Sequence, residues 1–352
     1  MPLRPLLLCA LLCPLVARAD EPPPELPTQV LDTVVVTGEQ PGPGLWRVES
    51  PQGHRMWVLA SLVPLPKRME WTATEVERRV AEADRVLYTP GGRFDVKVGF
   101  FARLGLIPAA MRARNNPGKQ PLAEVVPAPL YARWTVQKKK YMPRSRSVEK
   151  RRPLVAAQTL FSEALDEEDL SWKNLAQQRV EKIAKRTDRE VVDPVLDIVI
   201  EDPKALLKDF NESQLEDLDC FEKTLIRLET DIEPMKLRAN AWALGAVDLL
   251  QSLEWRDANR ACVDALLGTA IAERYGFADV EQRLRTLWLD EARKALTEVE
   301  TSFAVLPIAW VVGAESLLTE LQAEGYSIVA PGAAAEAESE PEAEPDAAAS
   351  LP

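Results

Sequence analysis

The sequence predicts an α/β protein: a mixed sheet built from the N- and C-terminal parts of the chain, with a mostly helical insertion in the middle. Three observations carry this expectation. Beyond residue 44 the chain opens with a strand-strand-helix-strand pattern and closes with helix-strand-helix-strand. Residues 122–272 read mostly as 3.6-residue periodicity, interrupted by a β-branched run at 194–200. At 352 residues, with 46% hydrophobic and 28% charged side chains, the chain can bury one or two ordinary cores. One sheet closed by both ends is the economical way to join such elements.

Taken in order, residues 1–19 read as a signal peptide. Arg4 precedes the apolar run 6–16, and Ala17-Arg18-Ala19 offers a small-x-small cleavage site before Asp20. That run is shorter than the roughly 20 residues needed to cross a bilayer. The expected location is therefore exported, periplasmic or extracellular. Residues 20–43 form a proline-rich linker around one β-prone stretch, LDTVVVTG. The folded domain spans 44–330. Its first two strands, LWRVES and RMWVLAS, are joined by the turn Pro51-Gln52-Gly53-His54 and lead into a proline-punctuated loop. Thr72 and Glu75 form a capping-box pair opening a helix with Ala73, Val76, Val80 and Ala83 on one face. A strand at 85–89 follows, and Gly91-Gly92 reads as a lone turn pair. At the far end Asp279 caps a helix in which Val280, Leu284, Leu287, Trp288, Ala292, Ala295 and Val299 keep 3/4 spacing. A strand SFAVLPIAW, a turn at Gly313, a helix within 314–324 and a strand GYSIVAP complete the domain. Residues 331–352 are an acidic Ala/Glu/Pro tail of disordered composition, with too little apolar surface to order itself.

The net charge of −12 belongs to the ends. Six acids lie in the tail and five, with no base, in residues 20–43. The domain between is close to neutral and carries one basic run. Residues 131–153 hold nine bases against one acid, Glu149, interleaved with Tyr131, Trp134 and Tyr141. Lys138, Lys139, Lys140, Arg144 and Arg146 could meet an anionic surface. The alternative is a helix face with buried aromatics whose charges pair with the acidic tail. Removal of the signal leaves two cysteines in an oxidising compartment. Cys220 and Cys262 both lie in helical patterns. The expectation is a disulfide between them, with two buried thiols as the alternative.

The segments LWRVES, MWVLASLVPLPKRMEW and VERRVAEADRVL, then ANAWALGAVDLL, then FAVLPIAWVVGAESLLTELQAEGYSIV resemble the TraB/GumN family, whose wider group includes the TIKI metalloproteases. The likeness runs from about Gly44 to Pro331, nearly the whole chain after the signal peptide. Its framework is a Leu-Trp hairpin, a Leu-Pro-x-x-Met loop, Trp242 with Gly245 and Asp248, and a closing Gly325-Tyr326 strand. The resemblance implies a functional signature of two G-x-x-H motifs and a glutamate. The first falls on Ala60 and Val63, the second on Gly313 and Ser316, and the glutamate near Thr89. Both histidines and the acid are absent at these positions.

Imidazole supplies a metal ligand or a general base near neutral pH, and valine and serine do not. The one histidine, His54, sits in the hairpin turn. It excludes an ordinary His/Cys zinc site and a Ser-His-Asp triad, and no Walker loop or dinucleotide fingerprint occurs. A carboxylate-only metal site would draw on Glu315, Asp84 or Asp95, which show no motif spacing. No cofactor or metal is expected. Ser316 is read as a helix N-cap with Glu315 near the positive end of the dipole. The leading expectation is an exported, catalytically degenerate relative that binds a protein, peptide or glycan as a scaffold. The alternative is a TIKI-like metal-dependent peptidase with a rearranged carboxylate site. The two strand-end loops are expected to face one cleft, with Val63 and Ser316 close together among apolar or small neighbours.

Overall fold

The computed structural model describes residues 42–212, 217–252, 262, 270–313 and 315–332. The expected signal peptide, nearly all of the linker, and the tail beyond residue 332 lie outside them.

The domain opens with strands β1 (Leu45–Glu49), β2 (Arg55–Ser61) and β3 (Leu65–Pro66), helix α1 (Thr74–Glu82), and strands β4 (Arg85–Leu87) and β5 (Gly91–Val96). The middle is α2 (Phe100–Ala113), α3 (Leu122–Val125), α4 (Ala128–Tyr141), α5 (Pro153–Glu167), β6 (Leu170–Ser171), α6 (Leu175–Arg186), β7 (Glu190–Val192) and β8 (Val195–Ile200). Helices α7 (Pro203–Glu212), α8 (Asp217–Thr230), α9 (Ile232–Ala243) and α10 (Val247–Ser252) continue it. After helices Ala270–Arg274 and Val280–Glu298 come β9 (Thr301–Pro307), short helices Ile308–Val312 and Leu317–Ala323, and β10 (Ser327–Val329).

The main sheet has the order β10-β1-β2-β9-β4-β7. β1 runs antiparallel to both β10 and β2, while β2, β9, β4 and β7 are parallel. The two ends of the chain therefore interleave, as the sequence predicts. β9 arrives from the far end and inserts between β2 and β4, with Trp57 opposite Phe303 and Val86 opposite Phe303 on the other side. Ser302 to Leu306 are all buried, and a strand covered on both faces reads as the continuous apolar run SFAVL rather than as an alternation. The sheet core gathers Val48, Met56, Val58, Val86, Phe303 and Trp288. A second core lies within the helical middle, around Leu122, Trp134, Leu160, Phe161, Phe221 and Leu225. Cys220 and Cys262 form a disulfide packed on Leu154, with their Cα atoms 4.6 Å apart.

Several local readings differ. Helix α1 begins at Thr74 with Ala73 at the N-cap, and no side chain caps it. Glu75 is drawn instead to Arg78 and Arg79, each at 2.7 Å on the exposed face, so the reach-back of a capping box is not made. Gly91-Gly92 is not a turn pair but the start of β5, which pairs in parallel with β8 as a separate ribbon. The β-branched 194–200 run needs a hydrogen-bonding neighbour, and tertiary folding supplies this one. Asp279 stands at the N-cap position, yet its carboxylate faces Arg283 at 3.7 Å rather than the backbone. The strand SFAVLPIAW stops at Pro307, and Ile308–Val312 turns into a short helix. In the basic run, Trp134 and Tyr141 are buried in the second core. Lys138 pairs with Glu149 at 3.0 Å, Lys140 with Glu168 at 3.2 Å, and Arg133 with Glu229 at 2.6 Å. Acids of the folded body thus partner these bases, while Lys139, Arg144 and Arg146 are exposed.

Candidate functional site

In open α/β sheets, the crevice outside the carboxyl ends of parallel strands is where ligands sit. Here β2 ends at Ser61 and its parallel neighbour β9 ends at Pro307. The loops that follow enclose a cavity of about 550 Å³. Leu62, Val63 and Pro64 form one wall, and Ile308, Val312 and Gly313 the other. Met235 of α9 and Trp172, just after β6, add apolar surface.

The floor is tied to the sheet by polar contacts. Ser61 Oγ donates to Leu306 O at 3.3 Å and accepts from Asn174 Nδ2 at 3.1 Å. Asn174 Oδ1 in turn accepts from Gln177 N at 2.9 Å as the N-cap of α6. The loop after β2 is thereby fixed to the second strand and to a helix start. Beneath it, Trp242 Nε1 donates to Ala60 O at 2.6 Å. The adjacent Gly245, at φ +66°, lies so near Gly42 that an added Cβ would stand 2.8 Å from the Gly42 carbonyl oxygen. The Trp-x-x-Gly spacing is thus a clamp on the hairpin from α9.

The cavity also holds buried charge, contrary to the expectation of apolar or small neighbours. Asp231, between α8 and α9, accepts from Arg238 Nη2 at 2.6 Å on one oxygen and from Arg227 Nε at 3.3 Å on the other. All three residues are under a tenth exposed. The Arg227 guanidinium also lies over the Phe161 ring, 4.5 Å from its centroid. A carboxylate held by two guanidiniums replaces the water that burial removes. Sequence reading missed this cluster. Its signal was present: Arg227, Asp231 and Arg238 fall at helical spacing within the apolar stripe of Leu225, Leu228, Ile232 and Met235, where charges are seldom buried unpaired.

Of the residues singled out from sequence, Val63 and Gly313 line the same cavity. Ala60 lies under its floor. Ser316 does not reach it. Its Oγ accepts from Leu318 N at 3.2 Å and Thr319 N at 3.4 Å and donates to Val311 O at 2.6 Å. Thr89 Oγ1 donates to Val305 O at 3.0 Å, away from the cavity lining. Glu315 points its side chain to solvent, and its carbonyl accepts from Arg285 Nη2 at 2.5 Å. Gly313 has a packing reason of its own: an added Cβ would stand 2.3 Å from the Ala309 carbonyl oxygen.

This donor set does not fit the metal that the resemblance to metalloproteases implies. Val63 has no donor atom, the hydroxyls of Ser316 and Thr89 are committed to backbone partners, and both Asp231 oxygens are held by arginine. Among the described residues, no three His, Cys, Asp or Glu side chains converge. What the arrangement offers is an apolar pocket with the buried Arg227-Asp231-Arg238 cluster at one side.

No curated protein and no solved structure matches the chain. The model of the TraB/PrgY/gumN family matches residues 44–330, from just before the first strand of the sheet to just past its last, and the chain belongs to that family.

Proposed function

We propose that this protein is exported and works as a binding scaffold, using the strand-end cavity to hold a peptide segment of a partner. The observation that carries the reading is the exchange at this cavity. The signature position holds Val63, and the polar part of the lining is the Arg227-Asp231-Arg238 cluster. Apolar walls of this volume accept one or two bulky side chains. The Arg227-Asp231-Arg238 cluster gives one side of that lining polar groups to set against a peptide backbone. Such a set orients a chain and supplies no base to activate water. The signal-like N-terminus and the disulfide support a location outside the cytoplasm.

The reading is tested on a peptide array with the folded protein and with Val63→Trp, which fills the cavity. Binding should favour peptides rich in bulky apolar residues, and Val63→Trp should weaken it at least tenfold with the melting temperature kept. Cleavage of the bound peptides that stops on chelation, and on Asp231→Asn, would replace this reading with the metal-dependent peptidase.

A further inference from the structure

Helix α2, FFARLGLIPAAMRA, is apolar around most of its circumference, yet among its described side chains only Ala113 is buried. Phe101 is 85% exposed, Ile107 54%, Met111 50% and Leu104 48%. A helix of this composition is ordinarily covered. The neighbouring β5–β8 ribbon adds Phe94, 62% exposed.

The charge around this helix is as lopsided as its burial. Residues 97–148 hold eleven bases against one acid, Glu124, in a chain whose net charge is −12. The bases come together in space. A groove walled by Ala109 and Arg112 of α2 also takes in Lys119 and, from α7, Lys204 and Lys208. A second groove shares Lys119 and adds Arg146, Lys150 and Arg151. Neither groove has an acidic residue in its lining, and none of these seven bases pairs with an acid among the described residues. Arg151 Nη1 is buried with no hydrogen-bond partner. Burial and the nearby Arg114 charge depress the affinity of Arg151 for its proton. A guanidinium in that position lacks an anion.

The occupant must therefore cover apolar side chains and bring negative charge beside them. A second copy across a two-fold axis would set the same bases against one another. We propose that α2 and the adjoining basic grooves dock on an anionic phospholipid bilayer. The apolar side chains of α2 enter the acyl boundary, and the grooves hold headgroup phosphates. This surface is separate from the strand-end cavity, so its test is independent of the binding reading given above.

The experiment is co-flotation of the full chain with vesicles of phosphatidylcholine alone and of equimolar phosphatidylcholine and phosphatidylglycerol. The chain should float with the anionic vesicles only, and less so as salt is raised. Neutralising Lys119 and Lys208 together (Lys119→Ser, Lys208→Ser) should weaken binding by roughly 25-fold, at about fivefold per charge. Leu104→Asn with Ile107→Asn should weaken it at least tenfold. Both pairs are exposed, so the melting temperature should hold, and every variant shares the same N-terminal segment. Equal flotation with both vesicle types, no flotation, or undiminished flotation of the variants would overturn the proposal. So would capture of soluble glycerophosphate as tightly as vesicles, or a lipid-free dimer that Leu104→Asn with Ile107→Asn dissociates.

Discussion

Ser316 stands where the resemblance places a histidine, and its hydroxyl is consumed by structure. It caps the helix Leu317–Ala323 and satisfies the Val311 carbonyl in one buried position. Ser316→Ala should lower the unfolding free energy by about 1–2 kcal/mol, as loss of a cap does, measured by urea denaturation. Gly313, three residues earlier, is likewise set by packing: its neighbour Ala309 leaves no room for a Cβ. Asp217 is a second residue whose state follows from its surroundings. Burial pushes its carboxyl up from 3.8 to about 6, against the pull of Arg152 and a hydrogen bond from the Leu154 backbone. Its Oδ1 is buried without a partner, which favours the protonated form. The folded protein therefore binds this proton more tightly than the unfolded chain. The resulting stability is fully present below pH 4 or so and is lost as pH rises through about 6. Denaturant melts should show the protein more stable at pH 5 than at pH 7.5, and Asp217→Asn should flatten that difference. Carboxylates held low, such as Glu324 by hydrogen bonds from Arg293, titrate at more acidic pH and leave this window clear.

At the scale of elements, the pair α8 and α9 builds the charged side of the cavity. Helical hydrogen bonds run on through Asp231, whose N–H donates to Arg227 O at 2.9 Å and whose carbonyl accepts from Met235 N at 2.8 Å, so the helical path itself sets Asp231 between Arg227 and Arg238. α8 is anchored elsewhere by the disulfide, which joins it to Cys262 across a separation of 42 residues. Closing a loop of that length removes chain entropy from the unfolded state worth about 4 kcal/mol. Cys262→Ala should reduce stability by about that amount in denaturant unfolding, whereas a reducing agent should leave the variant unchanged. Helix α2 is the opposite case, an element with apolar side chains and little in the fold to cover them. Sequence reading passed over it because a helix apolar around most of its circumference lacks the one-sided period that marks an amphipathic helix.

For the whole molecule, the decisive feature is the insertion of β9 between β2 and β4. It places the loop after β2 and the loop after β9 side by side, and so creates the cavity from residues some 245 positions apart, as the Ser61 to Leu306 contact records. Periodicity, turn residues and continuous hydrophobicity are local properties of the chain, and they make the fold class, the hairpin and the apolar run of the central strand legible before folding, as the quoted segments do the family framework. The sequence also holds a single histidine, His54, in the hairpin turn. Which loops share a cavity emerges on folding, as does the fact that Val63 and Gly313 line it while Ser316 and Thr89 do not, and that Arg227, Asp231 and Arg238 supply its charge. The physical reason is that a side chain's role is set by what desolvates it and what it can reach. Both depend on residues that are distant in sequence and become neighbours only when the sheet closes.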